Sequence, residues 1–170
     1  MKKLIGLIET YKDFPKKGID FKDVLGIMQE PKIFKELIVK MASSEIINNA
    51  EAIISIDARG FIFGSAISLE ASKPMIAARK PGKLPGELFK EEYSLEYGES
   101  SLCIQKKALQ KYNSFAIVDD LLATGGTVNC VSKMLESNDK EITGLSVVVE
   151  LKNLNGRLKL EFPVESFLTL

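Results

Sequence analysis

The chain has 170 residues, 45% of them apolar, enough for one hydrophobic core in a single domain. Lysine plus arginine and aspartate plus glutamate each total 23, so the net charge is zero, which argues against a global positive field for gripping nucleic acid. Histidine is absent and the only cysteines are Cys103 and Cys130, which excludes Ser-His-Asp and Cys-His nucleophile systems and the usual Cys/His zinc sites; a metal would need oxygen ligands, as magnesium does.

In chain order, Leu4, Ile5, Leu7 and Ile8 suit one face of a short N-terminal helix, and polar groups interrupt them too early for a signal peptide. No apolar run reaches the length of a membrane span, so a cytoplasmic protein with reduced thiols is expected. Residues 13–18 (DFPKKG) read as a turn. A helix is expected over 31–48, with Pro31 in its first turn and Ile33, Phe34, Leu37, Ile38 and Met41 at helical spacing. The run 52–56 reads as a buried strand ending in Asp57-Ala58-Arg59-Gly60, followed by a helix over 61–71 and a strand over 74–78.

From Arg79 to Ser100 the chain carries prolines, glycines and many charges with little regular spacing, and it reads as a long lid or binding loop. Strands are expected at 101–105, 115–118 and 145–150, and a helix at 127–136; residues 153–170 give no clear assignment. Alternating strands and helices imply an α/β fold, a mostly parallel sheet flanked by helices. Ligands then bind beyond the carboxyl ends of the strands, where the turns 57–60, 79–86 and 119–127 converge.

The most telling stretch is FAIVDDLLATGGTV, residues 115–128. Two adjacent carboxylates, Asp119 and Asp120, end a buried strand, and their repulsion must be offset by something they bind. The turn after them contains Ala123, Thr124, Gly125, Gly126 and Thr127, and a helix follows. Free amides at such a helix start, glycines that admit close approach and two hydroxyls suit a phosphate. The carboxylates repel phosphate but accept hydrogen bonds from sugar hydroxyls or help hold a hydrated cation. Together these describe a site for a phosphorylated sugar. A Walker loop and the dinucleotide glycine fingerprint are both absent.

IVDDLLATGGT resembles the phosphoribosyl pyrophosphate (PRPP) signature of the type I phosphoribosyltransferases, in the form carried by the members that act on adenine. Phe14-Pro15, Gly18-Ile19 and Phe21-Lys22-Asp23 resemble the family's N-terminal segment. Asp57-Ala58-Arg59-Gly60-Phe61 is similar to its pyrophosphate loop, RKPGKLP (79–85) to its mobile loop, and YSLEYG (93–98) to the segment closing that loop. The likeness runs in the family's order from about Phe14 to Leu151. Lys22 stands where the family often has arginine, and the family's proline-glycine turn is missing near residues 110–113.

The resemblance implies a type I phosphoribosyltransferase fold in one domain over 1–170, with a small hood from about 1–30 plus the 79–100 loop. It implies transfer of phosphoribose from PRPP to adenine, giving AMP and pyrophosphate in purine salvage. Alternatives are transfer to another purine such as xanthine or hypoxanthine, or a non-catalytic PRPP-sensing regulator. By the same resemblance Asp119 and Asp120 engage the ribose and residues 123–127 the 5′-phosphate. Ala58, Arg59, Arg79, Lys80 and Lys83 hold pyrophosphate, and Asp20, Phe21 and Lys22 hold adenine. Glu96 is the implied acid/base. Mg2+ arrives through PRPP without an assigned protein ligand, and a homodimer is implied, with neither nucleic acid nor membrane as a partner.

Overall fold

The computed structural model describes residues 2–95 and 98–170. Its centre is a five-stranded sheet built from β3 (Ala52–Ile56), β4 (Met75–Ala78), β7 (Ser114–Leu122), β8 (Glu141–Glu150) and β9 (Val164–Thr169). The order is β4-β3-β7-β8-β9 and every pairing is parallel. Ile54 lies opposite Ile76 on one side and Ile117 on the other.

The central strands are apolar on both faces because both faces are covered. Ile53, Ala116, Val118 and Val148 point into one core layer with Leu37, Met41, Phe63 and Ile67. These come from α2 (Pro31–Ala42) and α4 (Gly60–Ala71). Ile54, Ile56, Phe115, Ile117 and Val147 point into the other layer, with Val131 and Leu135 of α6 (Gly126–Glu136). Alternate residues of one strand thus feed opposite cores. Each fully buried side chain of this size stabilises the fold by about 1.5–3 kcal/mol.

Two small antiparallel ribbons flank this sheet. One pairs β1 (Glu9–Tyr11) with β2 (Phe21–Asp23), Tyr11 opposite Phe21. The other pairs β5 (Leu88–Leu95) with β6 (Gly98–Gln105), Leu88 opposite Gln105. The remaining helices are the single turns α1 (Lys2–Ile5), α3 (Glu45–Asn48) and α5 (Lys106–Leu109). No helix among the described residues is long and apolar enough to cross a membrane, and Cys103 and Cys130 are buried free thiols.

The sequence-based expectations need four corrections. The helix expected over 31–48 breaks after Ala42: Ser44 is extended and its hydroxyl accepts the Ile47 amide at 3.3 Å, restarting the chain as α3. Ser and Thr compete for backbone hydrogen bonds in this way, while buried Ile46 and Ile47 keep the apolar spacing unbroken. The long irregular segment ends at residue 87, because β5 forms. Its Lys90, Glu91 and Glu92 have poor strand propensity, and β6, with buried Leu102 and Ile104, supplies the template. The N-terminal helix is a single turn, with Leu4 buried and Ile5 49% exposed. β7 runs on to Leu122 and β8 starts at Glu141, so both exceed their expected spans.

Candidate active site

Extending β7 to Leu122 puts Asp119 and Asp120 inside its last hydrogen-bonded turns of ladder, with Asp119 opposite Val147. Asp120 is 5% exposed, and Asp119 Oδ1 accepts the Asp120 amide at 2.9 Å. Burial first, and then the neighbouring Asp120 charge, push the Asp119 carboxyl well above its ordinary range. Burial also raises Asp120, against the opposing pull of the Arg59 guanidinium.

Arg59 precedes α4, and its Nε lies 2.8 Å from Asp120 Oδ2. The pair is close but misaligned. Arg59 Nη1 and Asp120 Oδ2 are both buried without a hydrogen-bond partner among the described residues. Buried polar atoms in that condition are uncommon in folded proteins. The guanidinium also stacks 4.7 Å from the centroid of Phe21, and Phe21 meets Phe14 edge-on at 5.2 Å. The Asp57–Ala58 peptide just before Arg59 is cis, as is Phe14–Pro15.

After β7 the chain turns through Ala123 and Thr124 to Gly125, whose φ of +81° favours glycine. Gly125 precedes α6, whose N-terminus has no side-chain cap, so its first amides face outward. Residues 123–127, together with Asp119, line a small cavity of about 60 Å³ there. A larger cavity of about 610 Å³ adjoins it, sharing Ala123 and Thr124 and lined also by Asp20, Phe21, Lys22 and Arg59. The Lys22 ammonium turns away to donate to Thr10 Oγ1 at 2.9 Å.

Arg79 directly follows β4, with its Nε 2.9 Å from Asp57 Oδ2, and its Nη1 donates to the Lys83 carbonyl at 3.3 Å. It also lies 5.6 Å from the Phe61 centroid, beside the Arg59 turn. Lys80 and Lys83 are exposed and line neither cavity. Glu96 lies outside the described residues. The structure therefore unites Asp20, Phe21, Lys22, Arg59, Asp119, Asp120 and 123–127, keeps Ala58 and Arg79 adjacent, and leaves the two lysines apart.

Leu121, Leu151, Asn153, Leu154 and Leu170 also line the larger cavity and were not anticipated. Their signal was positional: Leu151 follows the carboxyl end of β8, on the edge where parallel sheets bind ligands. Gly156 was missed too, although a Cβ on Gly125 would come within 2.9 Å of its carbonyl oxygen.

Two carboxylates beside an uncapped, glycine-bearing helix start at the carboxyl end of a parallel sheet point to a class, and comparison with known proteins agrees with it. The phosphoribosyl transferase domain model matches residues 23–168, and the chain belongs to that family. It is 82% identical over 167 residues to the adenine phosphoribosyltransferase of Prochlorococcus marinus strain MIT 9515, covering 98% of each chain. The adenine phosphoribosyltransferase of Thermoanaerobacter pseudethanolicus superposes with a TM-score of 0.90 at 36% identity, covering 99% of each chain. The Saccharomyces cerevisiae enzyme, crystallised with adenine and an imino-altritol bisphosphate, gives 0.88 at 33% identity, covering 98% of this chain and 97% of that one.

Proposed function

We infer that this enzyme transfers phosphoribose from PRPP to adenine, releasing AMP and pyrophosphate, in purine salvage. The observation carrying the reading is the single cavity that Phe21, Arg59, Ala123 and Thr124 line together. An aromatic ring suits a flat base and the turn at a helix start suits a sugar phosphate, so one cavity offers both. The similar yeast enzyme was crystallised with adenine and a bisphosphate.

Asp119 and Asp120 accept hydrogen bonds from the ribose 2′- and 3′-hydroxyls, which replaces carboxylate repulsion with donor contacts. Ala123, Thr124, Gly125, Gly126 and Thr127 cradle the 5′-phosphate at the uncapped start of α6. Arg59, with the Ala58 backbone, and Arg79 receive the pyrophosphate. Lys80 and Lys83 join them when the loop folds over the substrate. Asp20, Phe21 and Lys22 hold adenine, Phe21 through its ring and the others through backbone groups, which leaves the Lys22 ammonium free to bind Thr10.

The reaction breaks the anomeric carbon–oxygen bond to pyrophosphate and forms a bond from that carbon to a purine nitrogen. Positive charge grows on the sugar and negative charge on the leaving group, so preoriented cations are the main catalytic device. Glu96 steadies the proton at the adenine imidazole. A hood formed by residues 1–30 and the 79–100 segment excludes water, which would otherwise capture the cation-like carbon.

The resemblance also implies Mg2+. No group of three or more candidate ligands occurs among the described residues, and the two carboxylates beside the cradle suit a hydrated cation carried in by PRPP. When bound, it neutralises pyrophosphate charge. We propose a cytoplasmic homodimer on the same family grounds.

The test is to incubate the protein with Mg2+, PRPP and each nucleobase in turn. AMP formed from adenine alone supports the reading. Turnover only with an oxopurine, or PRPP binding without turnover, refutes it.

A further inference from the structure

Beside the phosphate loop lies an ion pair, buried at Glu150 and partly exposed at Arg157, that lines neither cavity. Glu150, the last residue of β8, is only 8% exposed and pairs in the sheet with Leu122, the last residue of β7. Arg157 grips it in a fork, Nε to Oε1 at 2.9 Å and Nη2 to Oε2 at 2.5 Å. Nη1 of the same guanidinium donates to the Val164 carbonyl, and Ser166 Oγ donates to Glu150 Oε2 at 2.8 Å. The fork thus ties the end of β8 to β9.

The residue before Arg157 is Gly156, and it abuts the loop directly. A Cβ there would collide with the Ala123 carbonyl and come within 3.0 Å of the Gly125 amide nitrogen. From the other side, a Cβ on Gly125 would come within 2.9 Å of the Gly156 carbonyl oxygen. Gly156 therefore bears on the cradle at both Ala123 and Gly125, and it is joined directly to the arginine of the fork. The Arg157 side chain is 41% exposed, so solvent screens the pair and it adds little to stability; its geometry is the better account of it. Only a planar guanidinium can span both carboxylate oxygens and a third acceptor at once.

We propose that the Arg157–Glu150 fork is a positioning element that sets the shape of the 5′-phosphate cradle by pressing Gly156 against Ala123 and Gly125. The proposal rests on the assignment of residues 123–127 to the phosphate. Arg157 and Glu150 touch no substrate; they act through the loop backbone. Misplacing a binding group by about 1 Å can weaken its action by up to about 100-fold.

The experiment measures ribose 5-phosphate binding by calorimetry, alongside the KM values for PRPP and adenine and the melting temperature. The variants are Arg157→Lys, which keeps the charge but loses the fork, and Glu150→Gln, which keeps the shape. Ile67→Val in the distant core calibrates a purely structural loss. The expected result is a rise of about tenfold or more in the ribose 5-phosphate Kd and PRPP KM of both fork variants, with adenine KM unchanged at saturating PRPP. Ile67→Val lowers the melting temperature and moves neither constant. If the folded fork variant, either one, binds ribose 5-phosphate as wild type does, the positioning role is overturned. Wild-type protein that fails to bind ribose 5-phosphate overturns the cradle assignment itself, a distinguishable result.

Discussion

Gly60 and Asp119 share a space with no room for another carbon: a Cβ on Gly60 would lie 2.7 Å from Asp119 Oδ1 and 3.3 Å from Asp119 Cα. The first turn of α4 therefore presses on the carboxylate assigned to the ribose. Gly60→Ala forces one of them to move, at a cost of about 1–3 kcal/mol in stability. The expected kinetic outcome is a rise in PRPP KM of about tenfold or more, with adenine KM little changed. Equal PRPP affinity in the variant would show that Asp119 does not need its present position.

Asp119→Asn separates binding from stability. Burial and the Asp120 charge raise the Asp119 pKa in the folded protein, so folding takes up a proton there. The contribution is fully present below the ordinary carboxylate value of 3.8 and is lost as pH rises from there through the raised folded value. Above that raised value the ionised carboxylate is a burden on the free protein. The Asn variant is therefore expected to melt higher than the wild type once pH exceeds that value, by about 2–4 °C for each kcal/mol of repulsion relieved, with a flatter dependence of melting on pH. PRPP binding should weaken at the same time. Thermal scans between acid and neutral pH check the first part, and PRPP titration the second.

Arg79 is held by Asp57 at 2.9 Å and by the Lys83 carbonyl at 3.3 Å, which preorients its guanidinium beside Arg59. Arg79→Lys keeps the charge but loses the fork. Turnover is expected to fall by about 100-fold, the scale of losing one preoriented donor to a leaving group. Ribose 5-phosphate, which lacks the pyrophosphate, should bind the variant normally. A matching loss of ribose 5-phosphate affinity would assign Arg79 to the sugar-phosphate side instead.

For Glu96→Gln the expected loss is in chemistry, with kcat reduced about 100-fold or more and PRPP affinity largely retained. Single-turnover measurements at saturating PRPP read this directly. An unchanged single-turnover rate removes Glu96 from the mechanism.

Acid stability tests the second carboxylate system. Arg157 holds the Glu150 pKa below its ordinary range, so that pair stabilises the fold above the ordinary carboxylate range and is lost as pH falls through the depressed value. Glu150→Gln should flatten the acid side of the melting profile, where Asp119→Asn flattens the side toward neutrality. Urea melts of both variants across pH distinguish the two slopes.

Local chemistry made much of this protein readable in one dimension. The runs 52–56 and 115–118 are apolar at every residue but Ser55 because both sheet faces are covered, and the Gly-Gly-Thr turn announces an open helix start whatever surrounds it. Asp119 and Asp120 stood out because adjacent buried anions demand a partner. Other features depend on contacts between distant segments. Ser43 and Ser44 break an apolar rhythm that continues past them, and β5 is a strand because β6 lies alongside it. Gly156 meets Gly125 only because β8 and β9 bring the chain back beneath the loop. Neighbours in sequence determined the elements and the chemistry of the loop; packing decided which backbone supports it, since a steric limit between residues thirty-one apart leaves no periodicity to read.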